Sequence, residues 1–594
     1  MASQQQTFDY VIVGGGTSGL VVANRLSENP ETSIVILEAG ADMSDDPRVN
    51  IPALWTTLMS SDAVWHYQST PQPGIGGRSI REPQGKVLGG STAVNGQTYV
   101  APSAADFDSW ASLGNPDWGW DSMGHYVRKP FSLQLPVDQE TSDHLGLEWL
   151  KKDLHGSNGP LKISFPGSKE NPLIKAWVDA FRGMNKTISD DPFSGVAVGG
   201  YSNGATVDQD TKTRSYAASA YGAPLKTRPN VRVITGILAQ KILFDQSDAG
   251  LNATGVEAVL DGQVQTFHAS KEVVLAAGVF NTPKLLEISG IGQSEILKQH
   301  NITQLLEIPG VGENLQDHLM TGVSYEVNEG IVTGDPLMRQ EPSALEAAQK
   351  LYAEQKGPLC FGGTQSNALM PIDYDIAEIL DNTPVKPEDK EFIDTVRAIH
   401  KKPNEATATW FMFLAQANLH EGAKSFVGDT LLPQNFASLG CFLSHPFSRG
   451  NSHITSADAA AMPKIDPKFF SHPADLEVFA RHLMAIEELR HTKELSAYLK
   501  PDGKRNHPDS HHIGTLEGAK RYILDTATTT YHSCGTAAML PKEKGGVVDT
   551  KLKVYGTTNL RIVDASIFPT VPRGNNMSAV YAVAEKAADI IKGQ

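Results

Sequence analysis

Cysteine is scarce in this chain of 594 residues. The three cysteines, Cys360, Cys441 and Cys534, lie far apart and form no CxxC pair. An odd number of widely spaced cysteines is neither a disulfide framework nor a zinc-finger pattern. The sequence therefore predicts neither a disulfide scaffold nor a zinc-finger site.

Basic side chains are also in deficit. The 51 lysines and arginines are outnumbered by 67 aspartates and glutamates, which leaves a net charge of -16 at pH 7. An acidic surface is repelled by the phosphates of nucleic acids and by anionic membranes. We expect neither a nucleic acid nor a membrane as a partner.

Long apolar runs are missing as well. The chain begins "MASQQQTFDYVIVGGG", without the basic and apolar regions of a secretory signal. No apolar run approaches the roughly 18–20 residues that span a bilayer. The sequence therefore predicts a cytoplasmic protein.

The first segment with a clear pattern is "FDYVIVGGGTSGLVVANRLSENPETSIVILEAG". It predicts a strand over 8–13, a glycine turn, a helix that ends near Leu26, and a buried strand over 34–37 that leads into Glu38. Together these elements form a βαβ unit of about thirty residues, the usual setting of a dinucleotide-binding site.

The turn of this unit carries the pattern GxGxxG, formed by Gly14, Gly16 and Gly19. Such glycines let the backbone approach a pyrophosphate at the positive end of a helix. Glu38 can accept hydrogen bonds from a ribose, whereas its carboxylate would repel the 2′-phosphate of NADP. The alternative is a tight strand–helix turn that binds no ligand.

The rest of the chain contains segments with an α/β pattern and segments with the pattern of an antiparallel sheet. A glycine-rich loop over about 65–101 is of a length that is usually functional or disordered, so it either packs on a flat or charged group such as a cofactor or is a mobile surface loop. The strands predicted over about 225–300 are typical of an α/β domain. The strands predicted over about 315–525 are typical of an antiparallel sheet, with a turn predicted at 448–451. The last segment again reads strand, loop and helix. We therefore expect a second domain inserted into the first.

A second region that carries chemistry is "TTTYHSCGTAAML", near the C-terminus. In it His532 could be a catalyst, a metal ligand together with Cys534, a base that activates the Cys534 thiol, or a buried structural histidine. A metal site would need two further ligands, and none follow at a suitable spacing. This stretch alone does not decide among the others.

Four segments, taken in order, resemble the glucose–methanol–choline (GMC) family of FAD-dependent oxidoreductases over essentially the whole chain. They are "VIVGGGTSG" with "ILEAG", "GKVLGGSTAVNGQTYVAPSAADFD", "TPKLLEISGIG", and "YHSCGTAAM" followed by "VDASIFPTVPRGNNMSAVYAVAEKAADII". The resemblance implies an α/β, Rossmann-like FAD-binding domain with an inserted α+β substrate domain built on an antiparallel sheet. It places the FAD-binding domain in 1–314, with a cofactor-covering loop at about 65–101 and some substrate-domain elements at about 150–225. The substrate domain follows in 315–525, and the FAD-binding domain returns in 526–594.

The resemblance also implies which residues hold FAD. The pyrophosphate turn would comprise Gly14, Gly16, Thr17, Ser18 and Gly19, and Glu38 would bind the adenosine ribose. The other positions along FAD would be Gly90, Ser91, Asn95, Gly96, Ala239, Asp564, Ala565 and Met577. Some relatives bind the flavin covalently through a histidine that corresponds here to Val94, so we expect dissociable FAD.

The catalytic residues implied by the resemblance are His532 and Asn575. A neutral histidine can accept the proton of an alcohol near pH 7, while the amide of Asn575 can orient the substrate oxygen. Tyr531 would line the pocket beside them, and no metal is expected.

The function that follows is oxidation of a primary, benzylic or allylic alcohol to the aldehyde. Dioxygen or another acceptor would reoxidise the flavin, and we expect a role in the tailoring of a secondary metabolite. Two alternatives stay open at this point: a flavin-containing lyase resembling the hydroxynitrile lyases of the family, and a flavoprotein without catalytic activity.

Overall fold

The strands belong to two large sheets and several short pairs. The computed structural model describes residues 6–166, 171–417 and 431–593. The strands in this part of the chain are β1 (Gln6–Val13), β2 (Ile34–Glu38), β3 (Val64–Trp65), β4 (Gln84–Gly85), β5 (Thr98–Tyr99), β6 (Phe131–Leu133), β7 (Leu161–Ile163), β8 (Gly199–Ser202), β9 (Gly204–Ala205), β10 (Val231–Thr235), β11 (Leu238–Ser247), β12 (Gly250–Leu260), β13 (Gln263–Leu275), β14 (Ile291–Gly292), β15 (Leu306–Glu307), β16 (Leu319–Glu326), β17 (Ser366–Met370), β18 (Ala408–Phe413), β19 (Phe436–Leu443), β20 (Asn451–His453), β21 (Lys464–Asp466), β22 (Thr528–Thr529) and β23 (Leu560–Ile562).

The described residues also form helices between these strands. They are α1 (Thr17–Leu26), α2 (Pro47–Asn50), α3 (Ser91–Val94), α4 (Ala104–Ser112), α5 (Trp120–Arg128), α6 (Gln139–Leu145), α7 (Pro172–Gly183), α8 (Ala223–Leu225), α9 (Asn281–Ile288), α10 (Ser294–Gln299), α11 (Asp335–Met338), α12 (Pro342–Ala353), α13 (Ala377–Asn382), α14 (Lys390–His400), α15 (Pro473–Arg490), α16 (Lys493–Ser496), α17 (Leu516–Thr526) and α18 (Met577–Lys592). No helix in the described residues is both long and apolar enough to cross a membrane.

The first sheet has the strand order β10-β2-β1-β13-β12-β11, with β23 also paired to β13. The strands β10, β2, β1, β13 and β23 run parallel, whereas β12 and β11 are antiparallel additions. Every residue of β2 is buried, as expected for a strand with both faces covered. Helices α1 and α18 pack against each other beside this sheet. The predicted α/β, Rossmann-like domain is therefore confirmed.

The second sheet has the order β22-β16-β19-β18-β17-β8 and is antiparallel throughout. Its central strands β18 and β19 are wholly buried, and α15 and α17 share its apolar core. The predicted antiparallel sheet is therefore confirmed. The domain boundaries stay a prediction, although β22 extends this sheet to Thr529, just beyond residue 525. The end of the predicted strand segment "TATWFMFLAQANL", at 418–419, lies outside the described residues.

The predicted turn at 448–451 does not bring the strands on either side of it together. The sequence "ASLGCFLSHPFSRGNSHITSA" predicts two strands joined by a turn at 448–451, but β20 pairs with β21 rather than with β19. The backbone N–H groups of Phe447 and Ser448 instead donate to the carboxylate of Asp475 on α15, at 2.8 and 2.9 Å. Gly450 then pairs with Leu315. These long-range hydrogen bonds lead the chain away from β19.

Candidate active site

One cavity of about 350 Å³ lies between the two sheets. The first sheet contributes the C-terminal ends of β1, β2 and β13, where ligands of parallel α/β sheets bind. The second sheet contributes side chains from β16, β18 and β19. All predicted site residues except one line this cavity, namely Gly14, Gly16, Thr17, Ser18, Glu38, Gly90, Ser91, Asn95, Gly96, Ala239, Tyr531, His532, Asp564, Ala565, Asn575 and Met577.

The exception is Gly19, which packs inside the fold. A Cβ atom at Gly19 would lie 1.9 Å from the carbonyl oxygen of Gly14, so this glycine allows α1 to approach β1 closely. Gly14 has a φ angle of 105°, which non-glycine residues rarely adopt. A Cβ at Gly16, in contrast, would meet nothing nearer than the Gly90 Cα at 3.7 Å. The structure therefore places Gly16, but not Gly19, at the surface of the cavity.

The N-terminus of α1 fits a pyrophosphate. Gly16 precedes the helix, and no side chain caps its first turn. The first backbone N–H groups of a helix have no intrahelical acceptor, and the helix dipole favours an anion there. The buried hydroxyl of Ser18 also has no hydrogen-bond partner among the residues that the structure describes. A bound pyrophosphate would accept hydrogen bonds from these N–H groups and from the Ser18 hydroxyl.

Glu38 lies at the end of β2 and is buried. Its carboxylate accepts from the backbone N–H groups of Gly15 and Gly40, at 2.7 and 2.6 Å. Burial raises the pKa of Glu38 to about 7. Each carboxylate oxygen keeps lone pairs for a ribose hydroxyl, and Ala239 lines the cavity beside it. This end of the cavity fits an adenosine ribose.

Residues 90–96 and α18 approach each other across the cavity. The Asn95 amide nitrogen lies 3.2 Å from the Met577 sulfur, and its carbonyl oxygen accepts from Arg214 at 2.9 Å. Arg214, which the sequence reasoning missed, is buried and also donates to the Asn95 backbone carbonyl at 2.7 Å. Its role is to hold the turn that carries Asn95 against the cavity.

Asp564 follows β23 and anchors the C-terminal segment. Its carboxylate accepts from the Gly278 N–H at 3.0 Å, the Thr282 hydroxyl at 2.6 Å and the Ser566 N–H at 2.8 Å. Burial raises the pKa of Asp564 above its ordinary value. These bonds hold Ala565 at the wall of the cavity.

His532 and Asn575 meet at the other end of the cavity. The Asn575 side-chain nitrogen lies 3.1 Å from His532 Nε2, although the two residues are 43 positions apart in the chain. The backbone carbonyl of His532 accepts from the Asn576 side chain at 3.0 Å. Burial lowers the pKa of His532 to about 3, so its imidazole is neutral at pH 7. A neutral imidazole next to an amide donor can accept a proton from a substrate that binds between them.

His318, just before β16, is a second histidine at this centre. Its Nδ1 lies 3.0 Å from Nδ1 of His532, and its Nε2 lies 2.9 Å from the carbonyl oxygen of Ser444. The sequence reasoning missed His318, because 214 residues separate it from His532. The only local signal was the polar pair "DH" in "NLQDHLM", directly before a predicted strand.

Asp317 holds the backbones of both histidines. Its Oδ1 accepts from the N–H of His318 at 2.8 Å and from the N–H of His532 at 3.0 Å. Burial raises its pKa to about 7, and burial together with the nearby Asp317 raises the pKa of Glu82 well above its ordinary value. Both carboxyl groups were missed by the sequence reasoning.

Apolar and aromatic side chains form the walls near His532. They come from β16, β18 and β19 and from the segment after β22, and they are Met320, Phe411, Phe413, Phe442 and Tyr531. Tyr531 has a φ angle of 66°, in the left-handed region that non-glycine residues rarely occupy. Such backbone strain is concentrated at functional sites.

Cys534 lies in the apolar core and is completely buried. Burial raises the pKa of its thiol well above the ordinary value, which disfavours the nucleophilic thiolate. The ring nitrogens of His532 contact His318, Thr530 and Asn575 rather than this thiol. Across residues 6–166, 171–417 and 431–593, no three His, Cys, Asp or Glu side chains are grouped as a metal site.

Two sequence-family models match the chain, and both are described as GMC oxidoreductase. The N-terminal model matches residues 8–320, and the C-terminal model matches residues 446–584. The chain is a GMC oxidoreductase. The resemblance inferred from the sequence is confirmed: this is an FAD-dependent enzyme that acts on CH–OH groups.

Curated relatives of this GMC oxidoreductase match along nearly its whole length. It is 33% identical to "GMC oxidoreductase family protein Mala s 12" of Malassezia sympodialis, over 99% of this chain and 93% of that protein. It is 32% identical to the dehydrogenase mpl7 of Monascus purpureus, over 99% of this chain and 96% of that protein. The family membership thus applies to the full described fold.

Solved structures agree with the fold of this GMC oxidoreductase. An FAD-dependent oxidoreductase from Chaetomium thermophilum superposes with a TM-score of 0.86 at 26% identity, covering 99% of each chain. A fungal aryl-alcohol oxidase superposes with a TM-score of 0.82 at 26% identity, covering 98% of each chain. A formate oxidase superposes with a TM-score of 0.83 at 27% identity, covering 100% of this chain and 99% of the other.

Proposed function

We propose that this GMC oxidoreductase oxidises a small primary alcohol, benzylic or allylic, to the aldehyde. The observation that carries the proposal is the pairing of His532 Nε2 with the Asn575 amide, 3.1 Å apart, at the apolar end of the cavity. The likeness to an aryl-alcohol oxidase supports the same substrate class. The secondary-metabolite role and the cytoplasmic location stay predictions from the sequence.

The reaction needs a group that removes the hydroxyl proton and another that orients the oxygen. In our proposal, His532 Nε2 accepts the proton while the Asn575 amide donates a hydrogen bond to the substrate oxygen. When bound, FAD supplies the two-electron acceptor for the hydride that leaves the alcohol carbon. The surrounding phenylalanines keep water away from the base and pack against the aromatic part of the substrate.

The cofactor itself is proposed to be held without a covalent bond. Val94, at the position from which some relatives attach the flavin through a histidine, lines the cavity with an apolar side chain. Valine offers no nucleophile to the flavin. Phosphate and ribose contacts from 14–18 and Glu38 would then account for the binding.

An anaerobic spectral titration tests the proposed reaction. The holoenzyme would be titrated with benzyl alcohol, an allylic alcohol, an aliphatic alcohol and a sugar, with benzyl methyl ether as a control that lacks the hydroxyl proton. We expect the flavin bands to bleach with the first two alcohols and not with the ether. Colour returning rapidly in air, with peroxide, would identify an oxidase, and slow return a dehydrogenase. Cleavage of mandelonitrile without any bleaching would instead support a lyase and contradict the proposal.

The pH dependence of turnover provides a second prediction. A general base must be neutral, so lowering the pKa of His532 from 6.5 to about 3 moves the loss of activity to more acidic pH. We expect kcat/KM to show no histidine-type acidic limb between about pH 4.5 and 8. The measurement is a pH profile of kcat/KM in the wild type and in Asp317→Asn, since Asp317 has a pKa of about 7. A limb near pH 6.5 that persists in Asp317→Asn would contradict the prediction.

A further inference from the structure

The ring of His532 has a different environment at each nitrogen. Nε2 lies next to Asn575 at the cavity, while Nδ1 points into the protein. There, Nδ1 lies 2.8 Å from the Thr530 hydroxyl and 3.0 Å from Nδ1 of His318. Gly574 covers this contact so closely that a Cβ atom on it would lie 3.0 Å from both Nδ1 atoms. What these neighbours donate or accept decides where the ring proton of His532 resides.

The Thr530 hydroxyl has one proton, and that proton has a partner. The hydroxyl oxygen lies 2.9 Å from the backbone carbonyl oxygen of His318. A carbonyl oxygen can only accept, so the hydroxyl donates to it. The Thr530 oxygen is then left to His532 as an acceptor.

The ring of His318 also presents an acceptor to His532, for a separate reason. Its Nε2 lies 2.9 Å from the backbone carbonyl of Ser444, which again can only accept, so the ring proton is on Nε2. Burial lowers the pKa of His318 well below its ordinary value, so this ring carries a single proton. Nδ1 of His318 therefore presents a lone pair to His532.

Two acceptors thus meet one nitrogen of His532. We propose that His318 and Thr530 are positioning residues that hold His532 as the Nδ1–H tautomer and so keep the Nε2 lone pair at the cavity. This inference rests on the proposed function, in which Nε2 is the base. The hydrogen bond at one ring nitrogen sets the state of the other. The opposite tautomer would present an N–H group to the alcohol and could not accept its proton.

Nuclear magnetic resonance of the holoenzyme tests the tautomer without any substrate. The 18 histidines would be labelled with ¹⁵N, and the His532 signals identified by their loss in His532→Gln. We expect a protonated Nδ1 and an unprotonated Nε2 in the wild type at pH 7. A protonated Nε2 would overturn the inference even if the enzyme oxidises alcohols. The expected tautomer in a protein that no alcohol reduces would instead leave the inference standing and contradict the proposed function.

Matched variants separate positioning from general packing. Thr530→Ser and His318→Asn each keep an acceptor atom near His532 Nδ1, whereas Thr530→Val and His318→Phe remove both acceptors. Phenylalanine can keep the flat packing of His318 on Phe442, whose ring centroids lie 5.5 Å apart. We expect the combined Thr530→Val and His318→Phe variant to populate Nε2–H and to reduce its flavin about 10- to 100-fold more slowly, with the alcohol dissociation constant little changed.

The paired Thr530→Ser and His318→Asn variants should keep the wild-type tautomer and most of the wild-type rate. If the combined Thr530→Val and His318→Phe variant keeps Nδ1–H, the proposal is overturned, as it is if the tautomer changes while the rate of flavin reduction does not. Should that combination fail to fold, Thr530→Ala with His318→Leu, which also removes both acceptors, takes its place in the same two measurements, and the same outcomes apply.

Discussion

Replacing His532 by alanine is expected to slow reduction of the flavin by an alcohol about 10²–10⁴-fold, the usual contribution of a positioned general base. The loss follows from the geometry, because Nε2 of His532 is the neutral basic atom that lies beside the Asn575 amide at the cavity. Without it, the hydroxyl proton has no acceptor at that place. The measurement is the rate constant of flavin reduction in anaerobic stopped-flow mixing.

The same variant should keep its cofactor. The proposed FAD-binding residues between Gly14 and Glu38 line the other end of the cavity, so replacing His532 leaves them unchanged. We expect an unchanged ratio of FAD to protein and a rate loss that does not recover at high alcohol concentration. His512→Ala is the matched control, since His512 is exposed at the end of a short 3-10 helix outside the cavity. A reduction rate in His532→Ala within about tenfold of that in His512→Ala would show that His532 is not the base.

Replacing Gly16 by valine is expected to weaken FAD binding about 10²–10⁴-fold without unfolding the protein. A Cβ atom at Gly16 would meet no protein atom closer than 3.7 Å and would project into open space next to the α1 N-terminus. The valine methyls would then occupy the place of the pyrophosphate. Losing two hydrogen bonds to a charged group, at about 1.5–3 kcal/mol each, weakens binding about 10²–10⁴-fold.

Two other glycines provide the comparison. Gly514→Val also adds methyls in open space, but on an exposed loop, and should keep wild-type FAD content. Gly19→Ala would push a Cβ to within 1.9 Å of the Gly14 carbonyl and should prevent folding. FAD absorbance after reconstitution and the thermal transition of the FAD-free protein distinguish the three cases. Normal FAD content in Gly16→Val would show that the pyrophosphate does not bind at this turn.

The first βαβ unit was predictable from the sequence because its signals are local. The apolar strands, the glycine turn and Glu38 occur within about thirty residues, and β1, α1 and β2 form at the expected places. Local hydrophobic periodicity and turn chemistry decide such elements before any distant contact is made. The cofactor and the family followed from these motifs and from the order of the other three segments along the chain.

The surroundings of His532 depend on contacts between distant segments of the chain. His318 and His532 share a hydrogen bond because β16 and β22 pair, and Thr529, at the end of β22, is the register partner of Leu319, next to His318. Nothing local to either segment specifies that pairing. Likewise, the backbone that follows β19 donates hydrogen bonds to Asp475 on α15, so the chain does not turn back to pair with β19.

In the GxGxxG motif too, the spacing and the packing give different information. The spacing of GxGxxG identified the turn, but not which glycine faces the ligand and which one packs a helix on a strand. Periodicity along the chain indicated the two kinds of sheet, and the resemblance to the GMC family implied the cofactor and the pair His532 and Asn575, because both signals are carried by short segments of the sequence. The tertiary structure decided which groups surround that pair, because packing across more than 200 positions brings His318 to His532.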